Sequence, residues 1–112
     1  MTRQYKDNLL NILLGVRPRL ATTHSLEFKN SFGAVAGYLD GNIFIVNGKF
    51  GLALKLPPKT IEKLFHEKDA FPFRYFKKGH VKKDYALISR CILNDKVQLK
   101  KLINKSIKFT LT

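Results

Sequence analysis

"AVAGYLDGNIFIVNGKFGLALKL", residues 34–56, sets two dipeptides, Asp40-Gly41 and Asn47-Gly48, into an otherwise largely apolar run. Dipeptides of this kind tolerate positive φ at both central positions of a type I′ turn, which joins two antiparallel strands through two residues. Two such corners predict a three-strand meander. With two-residue loops at both, Tyr38 faces Ile43 and Ile43 faces Leu52, while Ala36, Ile45 and Phe50 share their face and Leu54 and Leu56 extend it. The opposite face then carries Phe44 between Gly37 and Gly51, a large ring over two positions without side chains, flanked by Val35, Val46 and Ala53.

Upstream, "SLEFKNSF" (25–32) alternates Leu26 and Phe28 with Glu27 and Lys29 and predicts a fourth strand. Before it, Tyr5, Leu9, Ile12, Leu13 and Val16 recur at helical spacing, so a helix is expected from about Thr2 to Leu14. Gly15 is expected as its left-handed cap and Pro18 as the stop. "VRPRLATTH" (16–24) has no period and reads as a connection. Downstream, Pro57-Pro58 end the sheet and open a helix, "KTIEKLFHEKD" (59–69), with an Ile61, Leu64, Phe65 stripe. "FPFRYF" (71–76) and "VKKDYALI" (81–88) form a second hairpin, and Asn94 caps a last helix with Leu99, Leu102, Ile103 and Ile107 inward. The expected architecture is α+β: an antiparallel sheet with a β-meander and a second hairpin, flanked by N-terminal, middle and C-terminal helices. One domain is expected over residues 1–112, since this length is common for a single core.

Lys and Arg number 21 against 8 Asp and Glu, a net charge of +13, and such an excess attracts polyanions. It is uneven: residues 1–70 carry 10 basic and 6 acidic side chains, residues 71–112 carry 11 and 2. Sixteen of the basic residues are Lys, a bias that A/T-rich genomes produce at solvated positions. The same bias would raise Glu, yet only three Glu are present, so an acidic partner stands beside it as an explanation. Cys91 is alone, so no intrachain disulfide forms, which fits a reducing compartment. No apolar run approaches the roughly 18 residues of a membrane span. A soluble, cytoplasmic protein is expected, without a membrane partner.

Chemistry-bearing residues are sparse. The acids are scattered, no nucleophile-elbow or phosphate-loop pattern occurs, and the glycine turns join strands without opening helices. Cys91 with His80 is the one conceivable dyad, and Cys91, between "LIS" and "IL", reads more simply as a small core or edge residue. His24, His66, His80 and Cys91 lack ligand spacing; His24 reads as a loop residue, and His66 as support for the last carbonyls of its helix. Neither an enzyme, a metal nor a cofactor is expected.

What stands out is "RYFKKGHVKKDY" (74–85). Neighbours in a strand point to opposite faces, so Lys82 and Lys83 cannot both join one flat basic surface. A five-residue loop would set Arg74 opposite Asp84 and Phe73 opposite Tyr85. The stretch has three readings, a contact for nucleic acid, a contact for a protein partner and a merely solvated hairpin; the residues that can meet a polyanion are Arg74, Lys77, Lys78, His80, Lys82 and Lys83 on this rim, with Tyr75 and Phe76 near it for stacking. Lys101, Lys105 and Lys108 join them as a stripe on the last helix.

The run "FKNSFGAVAGYLDGNIFIVNGKFGLALKLP", its Pro-initiated helix and "FPFRYFKKGHVKKDYALI" resemble the N-terminal domain of the TfoX/Sxy competence regulators over roughly residues 5–108. Phe32-Gly33, Gly37, Asp40-Gly41, Phe44 and Leu54-Lys55 look like that family's Phe-Gly, Gly, turn-Gly, Phe and Leu-Lys pattern. Ser31-Phe32-Gly33-Ala34 stands where many relatives read Met-Phe-Gly-Gly, and the chain ends where full-length regulators continue into a helical C-terminal domain. The resemblance implies a stand-alone, bacterial, non-enzymatic regulatory or accessory module acting mainly through protein contacts. Its expected partner is a regulatory protein, with weakly sequence-specific, electrostatic nucleic-acid binding as the alternative. Oligomeric state is left open, a homodimer included.

Overall fold

At Asp40-Gly41 the chain reverses as the dipeptide requires: φ is +50° at Asp40 and +86° at Gly41, and Leu39 pairs with Asn42 across the corner. The computed structural model of the protein describes residues 2–16, 26–31, 33–73 and 84–111. They form α1 (Thr2–Val16), β1 (Leu26–Ser31), β2 (Ala34–Leu39), β3 (Asn42–Gly48), β4 (Gly51–Lys55), α2 (Pro58–His66), β5 (Ala70–Pro72), β6 (Tyr85–Ile88), α3 (Arg90–Leu93) and α4 (Lys96–Leu111). The strands make one six-stranded antiparallel sheet in the order β1-β2-β3-β4-β6-β5. This is the expected α+β architecture of meander, second hairpin and flanking helices. No helix among the described residues is long and apolar enough to cross a membrane.

The second hairpin keeps the register read from its sequence. Pro72 pairs with Ala86, so the next pair is Phe73 with Tyr85, and their ring centroids are 5.9 Å apart. The expected Arg74–Asp84 pair, its loop and the 17–24 connection fall outside the described residues.

Burial explains the layering, because every helix contributes to the cluster on one face of the sheet. Leu9 and Leu13 of α1, Ile61 and Leu64 of α2, Ile92 of α3 and the inward row Leu99, Leu102, Ile103 and Ile107 of α4 meet Leu52, Leu54 and Leu56 there. Removing such apolar side chains from water is the main favourable term in folding. The other face holds a smaller cluster of Ala34, Ala36, Val46, Ala53 and Phe73, to which no described helix contributes. Phe50 meets Phe73 edge-on there, at 4.7 Å between centroids.

Three expectations need correction. The second corner is not Asn47-Gly48: Gly48 pairs with Gly51, so Lys49 and Phe50 form the loop, and Gly51 supplies the positive φ of +112°. Asn47 stays in β3 because its amide Nδ2 donates to the Tyr5 carbonyl of α1 at 3.0 Å. Gly48 is there because a Cβ would lie 2.8 Å from the Cβ of Ala34. Both residues are chosen by packing, and Gly51, expected under Phe44, instead approaches Leu87.

The face assignment also changes. β2 and β3 slip register at Gly37/Tyr38: Gly37 pairs with Ile45 but Tyr38 with Ile43, leaving Phe44 as an extra residue in β3. A β-bulge of this kind reverses which side chains share a face beyond it. Phe44 and Ile45, consecutive in sequence, consequently both enter the helix-side cluster, whereas Ala36, Tyr38 and Ile43 belong with Val46 and Ala53 on the other. Gly37 makes the room: a Cβ there would sit 2.6 Å from Ile45 Cγ2 and 3.2 Å from Phe44 Cε1.

The third correction concerns helix ends. Gly15 lies inside α1 and does not cap it, since the helix runs to Val16 and Gly15 is not among the glycines of positive φ. Asn94 ends the one-turn helix α3. The cap of α4 is Asp95, whose Oδ1 accepts from the Val97 and Gln98 N–H groups at 3.2 Å each.

These two glycines predict shifts of opposite sign. Gly37→Ala should destabilise the protein by about 1–3 kcal/mol through overpacking. Gly15→Ala, whose Cβ meets nothing within 4 Å, should stabilise it by up to about 1 kcal/mol through helix propensity. Urea unfolding of both variants measures this; a stable Gly37→Ala would contradict the bulge packing.

Candidate functional site

Three helix ends in succession bring the charged residues together. Pro58 sits in the first turn of α2, where a missing N–H costs nothing. The helix closes in a Schellman motif: Lys68, at φ +61°, donates its N–H to the Phe65 carbonyl at 3.1 Å, and Asp69 donates to the Leu64 carbonyl at 2.8 Å. Backbone N–H groups thus satisfy those carbonyls, and His66, expected to support them, is exposed. Ser89 then ties the next turn down. Its N–H donates to the Asp69 carbonyl at 2.9 Å, and its Oγ accepts from the Ile92 N–H at 3.3 Å. Asp95 opens α4 two residues beyond α3.

Between α2, α3 and α4 these ends leave a groove of about 620 Å³. Leu64, Ile92 and Leu102 are buried apolar residues along it. Lys63, Lys101 and Lys105 line it together with Glu67, Asp69 and Asp95, so three ammonium and three carboxylate side chains share a groove with buried apolar residues. Cys91 lines it too, exposed and on the one-turn helix α3, which corrects its reading as a small core or edge residue: the cap at Ser89 turns this position of the helix outward. Among the described residues no three His, Cys, Asp or Glu side chains converge as they would around a metal ion.

The basic candidates divide accordingly. Lys105 enters the groove, Lys108 borders a second one with Val97, Lys100, Asn104, Ile107 and Leu111, and Lys101 lines both; all three are exposed, as their stripe predicts. Arg74, Lys77, Lys78, His80, Lys82 and Lys83 lie outside the described residues, as do Tyr75, Phe76 and His24. Asp84, which adjoins that stretch, lines a separate depression with Pro58, Ile61, Glu62 and Phe65. Those positions and the groove-lining Thr60, Lys63, Leu64 and Glu67 occupy opposite sides of α2. The helix therefore stands between Asp84 and the α4 lysines. Sequence reading missed Lys63, Glu67, Asp69 and Asp95, because only the packing of three helices makes them neighbours. Asp95 alone carried a local signal, an Asp directly before a helical period.

The sheet with helices on one face, carrying a groove of mixed charge, is a scaffold of α+β class. The sequence profile of the TfoX N-terminal domain matches residues 19–110, and the chain belongs to that family. No curated protein matches it.

Since Asp95 both caps α4 and contributes a carboxylate to the groove, Asp95→Ala should lower stability by about 0.5–2 kcal/mol. Asp95→Asn, which keeps the acceptor, should retain most of it. Thermal melts of the pair separate the capping bond from the charge, and equal losses would show that the charge, and not the capping bond, carries the contribution of Asp95.

Proposed function

We propose that this TfoX N-terminal domain protein is a non-enzymatic regulatory or accessory module that works through protein contacts in the bacterial cytoplasm, using the groove between α2, α3 and α4. The observation that carries the reading is that three lysines and three carboxylates line one groove together with apolar side chains. A polyanion entering there would meet Glu67, Asp69 and Asp95, and like-charge contacts of that kind reject wrong partners. A protein surface bearing both signs and an apolar anchor matches it. Its exposed charges steer encounter, and the apolar base supplies contact area. No cofactor enters this function.

The test is capture from native lysate with the wild-type chain and with the Lys63→Glu, Lys101→Glu, Lys105→Glu triple variant, both checked for folding by circular dichroism. A partner retained reproducibly by the wild type and at least about tenfold less by the variant is expected. The absence of any reproducible partner, or equal retention by both chains, would overturn it.

A second reading has one observation in its favour: α4 carries five lysines and no acidic residue, and the 74–83 stretch adds further cations. This is electrostatic, weakly sequence-specific nucleic-acid binding, whose affinity falls steeply with salt. Gel shifts at two salt concentrations, with Lys77, Lys78, Lys82 and Lys83 neutralised together, separate the readings. Salt-sensitive binding lost on neutralisation supports nucleic acid, and unchanged affinity rejects that surface.

A further inference from the structure

The two edges of the sheet are treated differently. β5 is only three residues long and ends in Pro72, two of the devices that keep an edge strand from pairing with another chain. β1 is six residues long with no proline, its register with β2 runs unbroken from Leu26 to Ser31, and no strand among the described residues lies beyond it. Its solvated face carries Glu27 and Lys29, 3.9 Å apart with side chains about three-fifths exposed. On the helix side, Phe28 packs against the core and Leu26 is exposed.

A charged edge strand ordinarily repels a neighbour, but these two charges are of opposite sign and flank Phe28 symmetrically. Antiparallel pairing of β1 with β1 of a second copy, about a two-fold axis at Phe28, sets each Glu27 opposite the other copy's Lys29. A slip of two residues either way places Glu27 against Glu27 or Lys29 against Lys29, so the charges select one register. The axis stands perpendicular to the sheet and keeps the helices of both copies on one face. The two Phe28 rings become cross-strand neighbours, and Leu26 lies diagonal to the other copy's Phe28.

We propose that β1 is a self-association edge through which two copies of the chain join their sheets, with Glu27 and Lys29 exchanged across the axis. The proposal is independent of the groove. The charge of +13 on each copy opposes association at low ionic strength, so the measurement belongs at about 0.15 M salt or above, where the screening length is about 8 Å or less.

Sedimentation equilibrium of the full chain across micromolar to submillimolar concentration should show a mass rising above 12.9 kDa towards twice that value. Glu27→Lys and Lys29→Glu should each weaken the dimer by about tenfold, through two like-charge contacts per dimer. Net charge alone would instead move the two variants in opposite directions. Combining both substitutions recreates opposite charges and should restore the dimer, although the Lys29 ammonium 5.0 Å over the Tyr38 ring is lost. Circular dichroism confirms that each variant is folded. A monomer at every concentration, a dimer unaffected by the single reversals, or a double variant that stays dissociated would each overturn the proposal.

Discussion

The hydroxyl of Ser106 in α4 donates to the Phe44 carbonyl in β3 at 2.9 Å, in a fully buried setting, and the arrangement of helices on sheet depends on this bond. Phe44 is the bulge residue and has no Cα partner in either neighbouring strand. A bulge disturbs the ladder and exposes a backbone acceptor to the interior, and an unpaired buried carbonyl is costly. A small hydroxyl on the inward side of α4 answers it. The same bulge turns Phe44 and Ile45 together into the core, and Gly37 gives them space. One extra residue therefore sets the face, the filling and the helix anchor at once.

From that anchor the remaining layers follow. Asn47, three residues along β3, donates to the Tyr5 carbonyl and fixes α1 beside α4. The Asp95 cap determines where α4 begins, and with α4 held by Ser106 in its middle, Lys101 and Lys105 are brought to α2 and α3. The groove is thus a consequence of core geometry and helix caps, with its charges on rigid elements.

Much of this was legible before any coordinates, and the exceptions have physical causes. Asp40-Gly41 read correctly because its residues are needed for their own backbone angles. Asn47-Gly48 has the same chemistry and misled, because Asn47 serves a tertiary hydrogen bond and Gly48 a close approach to Ala34. The bulge left no mark: Ile43 to Val46 is an unbroken apolar run, and only alternation reveals a change of face. On the site, the exposure of Lys101, Lys105 and Lys108 followed from helical period. Their acidic neighbours did not, since Glu67 and Asp69 reach the groove through a left-handed Lys68 that sequence preference would have made glycine.

Equilibrium urea unfolding of Ser106→Ala beside Thr110→Val tests the anchor most directly. Both hydroxyls are on α4 and buried, but among the described residues Thr110 Oγ1 has no hydrogen-bond partner. Ser106→Ala removes the buried donor to the Phe44 carbonyl and should cost about 1–3 kcal/mol, whereas Thr110→Val removes an unsatisfied group and should be neutral or stabilising. A Ser106→Ala variant as stable as the wild type would contradict the central role given to the bulge and its bond.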